Sequence, residues 1–442
     1  MSTQQAFVAA TRFGLGPTED ELARIGSDPR GWLLGQIDRD TGPPPALSGL
    51  PRGVDQARLL LQAREKGNAE LEAHLKKEYR QSLLVDIAAH TEAAIGSTAP
   101  FRERLVRFWA NHFTVSAQRP AVAGLAGAFE REAIRPNVTG RFETMLVAAI
   151  QHPAMLLYLD NAVSIGPNSP AGRRREKGLN ENLGREILEL HTLGVNGGYT
   201  QADVRSLATI ITGWTIARLK DSNAGQYTFA PPLHEPGPKM LLGVRYEARG
   251  EEEGLAALRA LARHPATAQH VARKLAVHFI GDDPPPAAVD RLARLYLEQD
   301  GRLLPLYRAL IDGQDAWQRP LEKLKTPQEF IISTYRATGQ MPQRRALLEA
   351  LERLAQVPFT APSPAGWPDS AAAWVAPEAS VRRVEWAVEF AGRLQSAIDP
   401  VAMAGAVIGP VASKDTLEAV ALAPSWRDGV ALVLASPEFQ RR

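Results

Sequence analysis

The sequence predicts an all-α fold, mainly helical with many packed helices and one small β-hairpin insertion. Three observations predict it. Apolar residues recur with the 3.6-residue helical period over most of the 442 positions. Runs with strand character are confined to 218–249. The composition, 45% hydrophobic and 23% charged, is that of a globular chain able to bury a large core.

Taken in order, Thr18 followed by Glu19, Asp20 and Glu21 is a helix-start signal, and helices are expected at 18–26 and 28–38. A long helical stretch over 54–95 follows, with Gly67 marking a break. Helices are then expected at 100–116, 121–135, 140–151, 180–192 and 200–214. Between them, 162–179 is rich in Gly, Pro and Ser, carries the charge run RRREK at 173–177, and reads as an exposed, solvated loop. Tyr227–Phe229 and Met240–Val244 flank PPLHEPGPK and are expected to pair as one hairpin. Helices resume at 250–262, 265–280, 287–298, 302–313, 326–337, 342–355, 378–397, 412–421 and 425–435. A Pro-rich connection covers 357–370. With no fixed repeat and no long linker, one compact domain spanning 1–442 is expected, with a β insertion at 218–249.

Composition also removes function classes. The chain has no cysteine, so disulfides, thiol catalysis and thiolate metal sites are excluded. Fifty-one Lys and Arg against 49 Asp and Glu leave a formal charge of +2, not the basic stripe that nucleic acid requires. No apolar run is long enough to span a bilayer. The opening MSTQQAFVAATRFGLGP lacks a basic region and an apolar core of signal-peptide length, which points to the cytoplasm. Phosphate-loop, nucleophile-elbow, HExxH, EF-hand and SxxK motifs are absent, and the GLG at 14–16 reads as a turn.

The densest polar motif is NENLGREILELHTLGVNGGYT at 180–200. At 100° per residue, Asn182, Arg185, Glu186 and Glu189 share one face and His191 lies on the apolar side. Two carboxylates one turn apart could divide into proton donor and base, with Arg185 as an anion clamp. The alternative is a solvated face with an Arg185–Glu189 pair, and for His191 a core imidazole bonded to a carbonyl. Gly194 is placed to end this helix, and Thr200 with Asp203 to cap the next. In FRERLVRFWANHFTVS, Phe101, Leu105, Phe108 and His112 form one stripe with Trp109 beside it, so His112 is expected buried and hydrogen-bonded. His152 and His264 each precede a proline suited to a first helical turn, and both read as helix starts. His234 and Lys239 sit on a proline-stiffened loop and weigh evenly as site or structure. His270, Lys274 and His278 recur every four residues, but the cation between the imidazoles argues against a metal.

These segments occur in a familiar order: TRFGLGPT, RFWANHFTVS, HPAMLLYLDN, NENLGREILELHTLGVNGGYTQADV, TGWT, PLHEPGPKMLLG, LARHPATAQHVARKLAVHF, PAGWPD and SPEFQRR. Together they resemble, over nearly the whole chain, the bacterial family catalogued as domain of unknown function 1800. The resemblance implies a mainly helical protein whose genes often adjoin those of a sulfatase-like family. Many members carry a twin-arginine export leader; this sequence departs from that pattern, so the cytoplasm is expected and export is the alternative that the resemblance adds. The motif match covers Asn182, Arg185, Glu186, Glu189 and His191, and also His112, His152, Asn161, His234 and Lys239, and it favours a site over a solvated face. The expected function is a hydrolase-like acid/base enzyme on a polar, carbohydrate-like substrate. Glu186, Glu189 and His191 would be catalytic. Asn182, Arg185, His112, Trp109, His152, Asn161, His234 and Lys239 would bind substrate. A divalent metal would suit the imidazoles and carboxylates, though no spacing demands one. The alternative is a non-catalytic scaffold or partner of the sulfatase-like neighbour.

Overall fold

A buried polar seam joins two apolar cores. The computed structural model describes residues 3–38, 42–66, 69–174 and 178–442 and is 60% helical. The larger core draws on residues from Ala6 to Trp317. The smaller is built from Phe330 to Phe439, with Phe7, Leu15 and the 87–95 end of helix Ala69–Ile95 packed into it. Between the cores, the backbone of Lys323 exchanges hydrogen bonds of 3.0 and 2.8 Å with Arg442.

The helices form where the apolar period places them, at Gly53–Lys66, Pro100–His112, Phe142–Gln151, Pro265–Phe279, Pro327–Thr338 and Pro377–Arg393 among others. Gly67 and the 175–177 part of the charge run lie outside the described residues. Thr200 and Asp203 form the capping box. Gly194 ends its helix at φ +84°, where an added Cβ would sit 2.8 Å from the His270 ring. A short helix begins at Pro153, where the His–Pro pair placed a start, and the short helix Pro400–Val407 was not anticipated.

The β structure corrects the expected pairing. Among the described residues there are two hairpins instead of one. β1 (Trp214–Ile216) pairs with β2 (Tyr227–Phe229), and β3 (Lys239–Leu241) with β4 (Val244–Tyr246). The helix expected to reach 214 ends at Ile210, and Gly213 at φ +84° turns the chain so that Trp214 opens a strand. Trp214 is still core, fully buried under Gly254. PPLHEPGPK therefore connects two hairpins and does not close one.

His152 and His264 are helix starts of one design. Each Nδ1 accepts a 3.1 Å hydrogen bond from the backbone N–H two residues on, Ala154 or Ala266, with proline at the first helical position. The imidazole thus does the work usually done by Ser, Asp or Asn. Replacing His264 with alanine should lower stability by about 1 kcal/mol, and His264→Asn should restore most of it. Chemical denaturation checks this; equal damage from both variants would show that the ring does something other than cap.

Candidate functional site

The polar face of 180–191 lies at the surface. Helix Asn182–Glu186 continues as a wider π-type turn over Ile187–His191, which shifts the later side chains from a uniform 100° projection. Arg185 reaches Glu189 at 3.3 Å and Glu181 at 3.5 Å, and all three side chains are more than a quarter exposed. Burial and then the neighbouring Glu189 raise the Tyr199 phenol above its usual range. Glu186 is half-buried, and burial followed by the Glu189 charge raises its pKa above the usual carboxylate range. Asn182 is exposed.

The other expected residues are sealed in the protein. His112 is 2% exposed, as its stripe required, and its Nε2 donates to the His191 carbonyl at 3.1 Å. His191 is fully buried with neither ring nitrogen hydrogen-bonded. Trp109 donates to the Tyr307 hydroxyl at 2.6 Å. Asn161 donates to the carbonyls of Ile211 and Trp214 and ties the β1 turn down. His234 donates from Nδ1 to the Thr212 carbonyl, which leaves Nε2 to accept from Lys239. Lys239 also bonds the Glu235 carbonyl at 2.6 Å and Glu253 at 2.9 Å, so loop 231–239 is clamped onto helix Glu251–Ala262. His152 Nε2 lies 3.1 Å from Glu132.

A cavity of about 290 Å³ opens at the seam between the cores, and none of those residues lines it. Helix Pro100–His112 supplies Arg104, Arg107, Phe108 and Asn111 to its wall; helix Pro265–Phe279 supplies Lys274 and His278. The N-terminus of helix Pro327–Thr338 brings Thr326, Gln328 and Glu329, and the 356–369 connection brings Phe359, Trp367 and Asp369. His90 and Glu130 stand on the remaining side.

Local geometry explains how the connection is held. Asn111 clamps Trp367 at two points, donating to its carbonyl at 2.9 Å and accepting from its N–H at 2.7 Å. Gly366 must be glycine: its φ is +81° and a Cβ would fall 2.5 Å from the Asn111 carbonyl oxygen. Phe359 is held at φ +61°, an unfavourable region for an aromatic residue, while its carbonyl accepts the Ala117 N–H at 2.7 Å.

Every carboxylate of the cavity already has cations. Glu329 is bound by Arg104 and, at 3.2 Å, by Arg442. Burial would raise its pKa, but Arg442 and Arg104 hold it well below the usual range. Glu130 is bonded by Arg135 at 2.7 Å, with His90 at 3.5 Å. Asp369 meets His278 at 2.7 Å and Lys323 at 3.3 Å. Because that carboxylate is ionised, His278 donates from Nδ1 and carries its lone pair on Nε2. Two cations are left. Arg107 bonds only the Gln328 side-chain oxygen, and Lys274 makes no ion pair or hydrogen bond with any described residue. Burial lowers the Lys274 pKa to about 8, with Asp369 partly opposing.

Among the described residues, no group of three or more His, Asp or Glu is arranged to hold a metal ion. No helix among them is long and apolar enough to cross a membrane. Sequence reasoning passed over the cavity because Arg107, Lys274 and Asp369 each look like an ordinary surface charge. The available signal was the Lys274–His278 spacing, which puts both on one helix face.

Burial keeps four imidazoles neutral: His112 well below the ordinary 6.5, His191 at about 3, and His270 and His278 at about 4. Between pH 6.5 and about 4 the unfolded chain therefore binds more protons than the folded one, and stability falls as pH falls. The thermal midpoint should drop steeply across this window, with uptake of more than one proton on unfolding. A midpoint that is flat from about pH 6.5 to 4.5 would contradict the buried neutral histidines.

Comparison with known proteins yields a family but no relative of known activity. No curated protein and no solved structure matches the chain. A family model described as protein of unknown function (DUF1800) matches residues 8–441. That span is nearly the entire sequence and includes every segment of the cavity wall, so the chain belongs to the DUF1800 family.

Proposed function

We propose that this protein is an acid/base enzyme acting on a small, acid-bearing organic molecule held in the seam cavity. One observation carries the reading: the cavity's carboxylates are all matched by cations, while Arg107 and Lys274 face it without a carboxylate of their own. An anion would supply the missing charge to both. Phe108, Phe129, Phe359 and Trp367 would cover an apolar body. His278, neutral near pH 7 and oriented by Asp369, is the proton acceptor nearest in kind to an acid/base catalyst. Glu186 and Glu189 form a second, more open candidate. Arg185 already answers Glu189 there, and their side chains stand partly in solvent.

Sulfate is a suitable probe because its charge is constant over the range of interest. Calorimetry should show one sulfate bound per chain at pH 7, weakened about tenfold by Arg107→Gln, the factor that corresponds to one lost charge-assisted hydrogen bond. Asp369, His112, His191 and His270 also act on Lys274, but Asp369 stays ionised and the three histidines stay neutral above pH 7. Affinity should therefore fall as pH rises through about 8, where Lys274 loses its proton. No binding, or binding unaffected by Arg107→Gln, would overturn this reading and leave the non-catalytic partner role standing.

A further inference from the structure

Lys274 has a second property that charge alone does not require. Its side chain lines a cavity from helix Pro265–Phe279, and its amine has no carboxylate in ion-pair range and no hydrogen-bond acceptor among the described residues. Lysines used only for structure look different here. Lys239 and Lys323 are buried against Glu253 and against Asp282 and Asp369, each at 3.3 Å or less. Lys325 lies over the Phe439 ring and bonds Ser333. The other well-described lysines, Lys76, Lys77, Lys220 and Lys414, are exposed. Lys274 alone among these combines access to a cavity with freedom from any partner.

We infer that Lys274 is a nucleophile that forms a Schiff base with a small carbonyl compound bearing an acid group, the acid being held by Arg107. This rests on the anion-site reading above and names its substrate class. The neutral amine attacks the carbonyl carbon, a C–N bond forms, and the π electrons move to oxygen, which takes a proton. The nitrogen loses a proton to give the neutral carbinolamine, the hydroxyl takes a second proton and leaves as water, and the nitrogen lone pair closes the C=N bond as a protonated Schiff base. No oxidant or reductant is needed. Three features of the site favour these steps. Burial increases the neutral fraction of the amine, the usual way in which proteins activate lysine. Arg107, on the facing helix, fixes the acid end of the substrate. His278, one turn along from Lys274 and neutral, is the group placed to relay protons.

The test needs no knowledge of the natural substrate. The intact protein is incubated near pH 7.5 with glyoxylate, an aldehyde that carries a carboxylate, and cyanoborohydride, and its peptides are mapped by mass. The adduct should form at Lys274 at least about tenfold faster than at Lys76, Lys77, Lys220 or Lys414, because an amine of pKa about 8 is far richer in its reactive form than one near 10.5. Sulfate should suppress the Lys274 adduct and leave the surface adducts unchanged, and acetaldehyde, which lacks the acid, should lose the preference. Lys274→Met, with folding checked by circular dichroism, should remove the fast adduct. Labelling confined to the exposed lysines overturns the inference. If sulfate binding persists in that case, the anion site stands and only the nucleophile falls. Fast labelling of Lys274 by both aldehydes alike, with no sulfate protection, keeps the nucleophile and removes the anion site.

Discussion

The structure depends on one buried carboxylate, Glu329. It sits in the first turn of helix Pro327–Thr338, where it closes a capping box with Thr326. From there it meets Arg104 of helix Pro100–His112 and Arg442 beside Lys323. A charge in this position is tolerable only when matched, and removing one partner of such a pair typically costs about 3–5 kcal/mol. The two guanidiniums are tied further. Arg104 bonds the carbonyls of Gly14 and Thr11, and Arg442 that of His278. Five separate chain segments are thereby held at the seam, around the cavity. Its charge balance follows: cations gathered to neutralise buried carboxylates leave Arg107 and Lys274 as the pair still able to receive an anion.

Much of the fold was legible because the helices obey a single period. Long amphipathic segments such as 265–279 and 327–338 announce themselves by apolar spacing, a proline at the first turn and a capping residue. The His–Pro starts at 152 and 264 were legible for the same local reason. Strands were expected at Tyr227–Phe229 and Met240–Val244 but were mispaired, and Trp214–Ile216 was missed, since three-residue strands carry too little pattern to name a partner and Gly213 redirects the chain. The π-type turn at Ile187–His191 was invisible to a projection that assumes 3.6 residues per turn.

The site was less legible than the fold, for a physical reason. Arg107, Lys274, Gln328 and Asp369 come from four distant segments, and each is an unremarked polar residue in its own neighbourhood. Periodicity reports which face of a helix is buried; it does not report where two buried faces fail to meet. The motif at 180–191 attracted attention because its polar residues are dense in sequence. In space they form an ion-paired surface face, while His112 and His191 are buried and His270 is partly buried beside His112. The segments carrying the family resemblance divide accordingly. RFWANHFTVS, ARKLAVHF and PAGWPD build the cavity wall, while HPAMLLYLDN and PLHEPGPK lock loops and hairpins in place.

The central claim, that this seam cavity is an anion site, is tested most directly by diffraction from crystals soaked in selenate and measured at the selenium edge. The account predicts an anomalous peak inside the cavity, with selenate oxygens about 3 Å from the Arg107 guanidinium and the Lys274 amine, at hydrogen-bonding distance. An empty cavity in crystals that bind selenate elsewhere on the surface would contradict it.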